Sequence, residues 1–174
     1  MDSLVFVDGP TVFSGAQIDD SVCAPSIASY QATFAAAEDV LIEWGDGAQD
    51  ALKNSDSTSI VSHVFNESGV FFPVIVVTDN NGCQNFAIMD TAVIHEATAD
   101  VKVKDRLLCG FDGLFQFIDS SISSSRISGF KFRITGDFTD TTFAQVPSTF
   151  YTDQPGKYSL QYILSNQYCS DTLL

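Results

Sequence analysis

The chain has 174 residues, 45% of them hydrophobic and 15 of them Phe, which is enough apolar material to build cores and argues against intrinsic disorder. Its formal net charge of −14 argues against nucleic acid as a partner, because phosphate is held by Lys and Arg. No run approaches the roughly 18 apolar residues of a membrane span, and Met1-Asp2-Ser3-Leu4 has no charged start ahead of an apolar stretch, so it reads as a start placed on a mature fragment.

Taken in chain order, Ala28, Tyr30, Ala32 and Phe34 alternate and predict a strand ending at Ala35. The alanine-rich stretch 30–39 is the best helical candidate, but this period of two argues against it. Val40, Ile42 and Trp44 alternate into Gly45-Asp46-Gly47, where glycine and aspartate supply the backbone angles and side-chain hydrogen bonds of a tight turn. After Gly69, the residues Phe71, Pro73, Ile75 and Val77 share a face. Asp79-Asn80-Asn81-Gly82 then marks a turn joining two final strands. A further strand is predicted over 85–94.

The same order then returns. Phe130, Phe132 and Ile134 run into Gly136-Asp137, and after Gly156 the residues Tyr158, Leu160, Tyr162 and Leu164 alternate up to Asn166. Cys23 to Cys83 spans 60 residues, and Cys109 to Cys169 spans 60 again. Four cysteines allow three pairings; the equal spacing favours Cys23–Cys83 and Cys109–Cys169. Repeats of this kind decide the architecture. Short strands with turn signals every 8–12 residues predict an all-β fold of two tandem sandwiches, 1–96 and 97–174. Acid is concentrated in the first: residues 1–96 carry 14 Asp/Glu against one Lys, and 97–174 carry 8 against 7 Lys/Arg, about −13 and −1.

These residues resemble the PKD domain, an immunoglobulin-like sandwich. In the first unit the resemblance rests on Gly45-Asp46-Gly47, His63-Val64-Phe65, Gly69 with Phe71, and Asp79 through Gly82-Cys83. In the second it rests on Gly136-Asp137, Pro147 with Tyr151, Gly156 with Tyr158, and Asn166 through Cys169. The departures are Ile42 and Trp44 where the family has Trp and Phe, Pro73 inside a strand, Thr149 in place of the second His, and Phe138 in place of a closing Gly. Cys23-Ala24-Pro25 is similar to the cysteine-bearing subtype found in long arrays on Bacteroidota surfaces, including gliding-motility adhesins exported by the type IX system. The resemblance implies an extracellular, disulfide-stapled, non-catalytic segment whose partners are neighbouring modules of the same filament and surface glycans. The alternative is a glycan- or matrix-binding accessory module.

No chemistry competes with that reading. His63 and His95 stand 32 positions apart, there is no Cys-x-x-Cys, and no Gly-x-Ser-x-Gly or phosphate loop is present. His63 reads as a core or turn-bridging residue. Asp46 with Asp50, Asp79, and Asp19-Asp20 are oxygen-rich positions that would suit calcium, bound if at all by the acidic first unit; no EF-hand spacing is present. Asn66-Glu67-Ser68 is a formal glycosylation acceptor, and Asp-Ser/Thr-apolar triplets such as Asp20-Ser21-Val22 resemble bacterial O-glycosylation sites. Most Phe and Tyr occupy alternating positions that read as core, which leaves no exposed aromatic patch. Residues 2–6, Asp-Ser-Leu-Val-Phe, resemble 90–94, Asp-Thr-Ala-Val-Ile, and only 170–174 follow Cys169. The expectation is therefore a piece of a longer array, joined into a semi-rigid rod by the Gly- and Pro-free linker His95-Glu96-Ala97-Thr98.

Overall fold

The computed structural model describes residues 9–17, 23–55, 58–104, 113–137 and 139–174. The chain divides into two compact units, Met1–Ile94 and His95–Leu174. Every regular element among the described residues is a strand.

The first unit contains β1 (Thr11–Gln17), β2 (Ser26–Ala35), β3 (Ala37–Glu43), β4 (Gln49–Ser55), β5 (Thr58–Phe65), β6 (Gly69–Phe71), β7 (Val74–Thr78), β8 (Gln84–Ile88) and β9 (Ala92–Ile94). They form a three-stranded sheet of order β1-β2-β5, a four-stranded sheet of order β4-β3-β7-β8, and the pair β6-β9. All the pairings are antiparallel.

Strand β2 ends at Ala35 as its alternation requires, because Ala36 takes φ +58 and turns the chain into β3. Ala28, Tyr30, Ala32 and Phe34 all face inward, against Val40, Ile42 and Trp44 of β3 and Ile75 and Val77 of β7. Fully burying each of these larger apolar side chains contributes about 1.5–3 kcal/mol. The inward rows of the two sheets thus account for the first core.

Two predicted strands are interrupted, each for a backbone reason. The row Phe71, Pro73, Ile75, Val77 breaks at Pro73, which has no N–H to give a ladder. Before it, β6 pairs with β9; after it, β7 pairs with β3 and β8. The strand expected over 85–94 is two strands, β8 and β9. Between them the Met89 amide leaves the ladder and donates to Pro73 O at 2.8 Å, and Asp90 N–H donates to Gly15 O.

The second unit contains β10 (Ala97–Thr98), β11 (Val101–Val103), β12 (Gly113–Asp119), β13 (Ile122–Ser123), β14 (Ile127–Gly136), β15 (Thr139–Phe143), β16 (Thr149–Thr152), β17 (Tyr158–Asn166) and β18 (Ser170–Leu173). Its sheets have the orders β11-β12-β16 and β15-β14-β17-β18, with the pair β10-β13. These are the two sheet orders of the first unit over again. The register repeats as well: Val40 faces Val77 and Ile42 faces Ile75 in the first unit, while Phe130 faces Leu164 and Phe132 faces Tyr162 in the second. Of the predicted inward row, Phe132 and Ile134 are buried, but Phe130 remains 41% exposed.

Candidate functional site

The Gly45-Asp46-Gly47 turn is built as its residue types require. Gly45 and Gly47 take φ +85 and +95, and a Cβ on Gly45 would stand 3.1 Å from the Phe72 amide nitrogen. Trp44 N–H donates to Ala48 O at 3.0 Å and closes the hairpin. Asp46 Oδ1 accepts from the Ala48 amide at 2.9 Å, and its Oδ2 lies 2.7 Å from His63 Nε2. The His63 ring stacks on Trp44 with centroids 4.8 Å apart, and the Trp44 indole N–H donates to Asp50 Oδ2 at 2.8 Å. His63 is therefore the bridge its place in the sequence motif suggested.

The second turn uses a carboxylate in the same way. Asp79 Oδ1 accepts from the amides of Asn81 and Cys83, both at 2.8 Å, while the Gly82 amide donates to Asp79 O. In the second unit Asn166 takes this place. Its Oδ1 accepts from the Tyr168 and Cys169 amides, and its Nδ2 donates to Glu96 O and Ser123 Oγ. Gly136 ends β14 opposite Thr139 of β15, with Asp137 in the turn that follows, as expected. It is glycine there because a Cβ would meet the Tyr158 ring at 2.7 Å.

The structure gives each of the calcium candidates a protein partner: Asp46 and Asp79 close separate turns on backbone amides, and Asp50 receives the Trp44 indole. Among the described residues no three His, Cys, Asp or Glu gather in a way that could hold a metal. Asp19 and Asp20 lie outside the described residues. His95 stacks on Tyr168 with ring centroids 3.7 Å apart, and its Nδ1 lies 3.4 Å from Ser124 Oγ, which also accepts from the Glu96 amide at 2.8 Å and donates to Glu96 O.

The turn carboxylates carry a pH dependence. Burial pushes Asp46 up, but His63 and the Ala48 amide outweigh it and hold the group below its ordinary 3.8. Burial likewise pushes Asp79 up, and the Cys83 and Asn81 amides outweigh it. A folded value depressed in this way stabilises the native state above the unfolded value and is lost as pH falls through the folded one. The first unit should therefore hold a constant denaturation midpoint well above pH 3.8 and lose stability below it. Denaturant titrations read by fluorescence of Trp44, the chain's single tryptophan, check this. Asp79→Ala should weaken the unit at neutral pH and flatten the acid dependence; an unchanged acid profile would count against the assignment.

The cysteines also depart from expectation. Cys83 is a free thiol, so the Cys23–Cys83 bond is not formed. Cys23 and Cys169 are each disulfide-bonded, and Cys109 lies outside the described residues. Equal spacing along a chain does not set the direction of a Cβ, on which a disulfide depends. The Cys83 Cβ stands against Gly9, 3.8 Å from where a Cβ of that residue would be, and its amide is held by Asp79. Alkylation without reductant is expected to modify Cys83 and spare Cys23 and Cys169. Peptide mapping that found Cys83 in a disulfide would refute this.

The sequence reading missed a surface. On β8, Ala87 packs against the core, which turns its neighbours Phe86 and Ile88 outward to 66% and 60% exposure. Phe86 pairs with Val76, which pairs with Leu41, and Ile88 pairs with Val74. An apolar row thus crosses β3, β7 and β8 on the outer face of the four-stranded sheet. The small Ala between two large apolar residues was the available signal. Exposed Tyr151 and Leu114 face one another across β16 and β12 in the second unit. The aromatic residues are therefore not all core.

No family model and no curated protein matches the chain. Among solved structures it is similar to the fibronectin(III)-like modules of Clostridium thermocellum CbhA, at 14% identity and TM-score 0.34, covering 94% of this chain and 90% of that one. It is also similar to the FN1–FN3 domains of chicken CNTN1, at 10% identity and TM-score 0.27, covering 94% of this chain and 62% of that one. The repeated pair of sheet orders makes this an all-β protein of immunoglobulin-like type.

Proposed function

We propose that the chain is a non-catalytic, PKD-type segment of a large secreted or cell-surface adhesin, of the kind carried by type IX-exported gliding-motility proteins. The observation that carries this reading is the repetition of sheet order and strand register in two consecutive units, with Asp46 and Asp79 of the first spent on turns. Repeats with a shared plan extend a structure by copy number, which is a mechanical rather than chemical use. Disulfide-bonded cysteines at 23 and 169 favour an oxidising, extracellular setting. Antibody against the chain should label intact source cells, and external protease should remove the signal. Labelling only after permeabilisation, or hydrolysis of a glycan or peptide by the purified protein, would overturn the reading.

The row of Leu41, Val76, Phe86 and Ile88 favours a second reading, a module that grips glycan or matrix through an exposed apolar face. Binding on a glycan or matrix array that Phe86→Ser with Ile88→Ser abolishes would select it over the spacer role.

A further inference from the structure

Strand β5 (Thr58–Phe65) ends the sheet β1-β2-β5, and among the described residues no strand pairs with its other side. Antiparallel pairing with β2 uses the N–H and C=O of every second residue, so half of these groups on β5 point away from the sheet. Its sequence, Thr-Ser-Ile-Val-Ser-His-Val-Phe, has no Asp, Glu, Lys, Arg, Pro or Gly. The other edge strands of the three- and four-stranded sheets each carry a feature that discourages a further strand. Strand β1 shifts register between Phe13 and Ala16, and β4 carries Asp50 and Lys53. Asn85 of β8 reaches across that edge and donates to Pro10 O at 3.1 Å. In the second unit β11, β15 and β18 carry Lys102, Asp140 and Asp171. There β16, the counterpart of β5 in sheet order, has only 4 residues and lies between Pro147 and Pro155.

The residues of β5 also complement themselves. Two antiparallel copies related by a two-fold axis place one residue opposite its own copy and keep each face of the sheet continuous. With Ser62 on the axis, Ile60 of either copy stands opposite Val64 of the other, and Ser62 stands opposite Ser62. Ile60 and Val64 are 67% and 43% exposed, so both apolar pairs form from surface that is otherwise in water. Like already meets like where β5 joins β2: Val64 faces Ile27, and Ser62 Oγ lies 2.9 Å from Ser29 Oγ. No formal charge enters the new ladder from the strand itself; Asp56 and Glu67 flank it in the sequence.

We propose that β5 pairs antiparallel with β5 of a second copy of the chain about Ser62, joining the three-stranded sheets of the two copies into one. The contact is isologous and therefore closes at the dimer. One edge pair covers less surface than the roughly 1,000 Å² of a stable complex, so the dimer is weak and forms at high concentration. The charge of the first unit, about −13, opposes it, so salt strengthens it by screening. The pairing uses the first unit alone and holds whether or not the chain serves as a spacer.

Sedimentation velocity of the full chain tests it, over a concentration series up to about 1 mM at low and at high salt. The mass is expected to rise to that of a dimer and stop there, at lower protein concentration when salt is high. The double substitution Ile60→Glu with Val64→Glu sets carboxylates opposite one another at both apolar pairs. It should raise the concentration for half-association by at least about tenfold. Both side chains face solvent, so the far-UV circular dichroism of the variant should match the wild type. The register is read with Ser62→Cys in a Cys83→Ser background. Oxidation should link two copies at position 62, because directly opposed residues stand within disulfide reach. Ile60→Cys in the same background should not crosslink, since it faces Val64. A chain that stays monomeric throughout, a mass that grows past dimer, association that salt weakens or that ignores Ile60 and Val64, or crosslinking as ready from Ile60→Cys as from Ser62→Cys would overturn the proposal.

Discussion

Replacing Trp44 by alanine is expected to destabilise the first unit by about 3–5 kcal/mol, the range for emptying a large aromatic site in a packed core. Trp44 is fully buried and lies where three kinds of contact meet. Its ring is 5.8 Å from Tyr30, so it bridges β2 of one sheet to the end of β3 in the other. It also supports the His63 ring, which T-stacks on Phe65 and holds Asp46. Loss of the indole therefore removes core volume and the platform under the Gly45-Asp46-Gly47 turn together. Asp50, an exposed residue, returns to water at small cost when its indole donor is lost. Most of the loss should therefore be packing, and Trp44→Phe, which keeps a ring without the donor, should recover more than half of it. Denaturant unfolding followed by far-UV circular dichroism measures both; a loss below about 1 kcal/mol for the alanine variant would mean the site collapses or was never well packed.

The second large effect is expected at Phe132. The second unit's buried core is small: Ala99, Phe132, Ile134, Tyr162 and Leu164. Phe132 is its hub, with ring centroids 5.3 Å from Phe117, 6.1 Å from Phe143 and 5.8 Å from Tyr162. Those three residues come from β12, β15 and β17, so one side chain ties both sheets together. Phe132→Ala should again cost about 3–5 kcal/mol. That is a large part of the roughly 5–15 kcal/mol that holds an ordinary domain. The second unit should then be largely unfolded at temperatures where the first is intact. Circular dichroism would show an early transition while Trp44 fluorescence kept its wild-type midpoint. A single transition shifted in both signals would instead mean that the two units unfold together.

Much of the fold was legible in the sequence because a half-buried strand is a local pattern. Ala28 to Phe34 and Val40 to Trp44 alternate, and the structure buries those rows because a period of two has only one way to meet a core. The Asp79 and Asn166 turns were legible too, since a short polar side chain reaches amides two to four residues onward wherever the backbone bends. The repeat of cysteine and glycine landmarks announced the repeated sheet order for the same reason.

What the residues could not announce depends on direction and on neighbours distant in the chain. Which face of β8 looks inward was decided by the small Ala87 fitting the core, which sent Phe86 and Ile88 to the surface. Asp46 with Asp50, and Asp79 in its own turn, were oxygen-rich positions by type alone; the fold gives each carboxylate its own donors, namely His63 with the Ala48 amide, the Trp44 indole, and the Asn81 and Cys83 amides. Gly136 opens the β14–β15 turn as its sequence suggested, but the contact that requires glycine there is the ring of Tyr158, 22 residues away. Cys83 had the right spacing for a bond it does not make, because a bond needs two Cβ vectors to converge and spacing along the chain specifies neither.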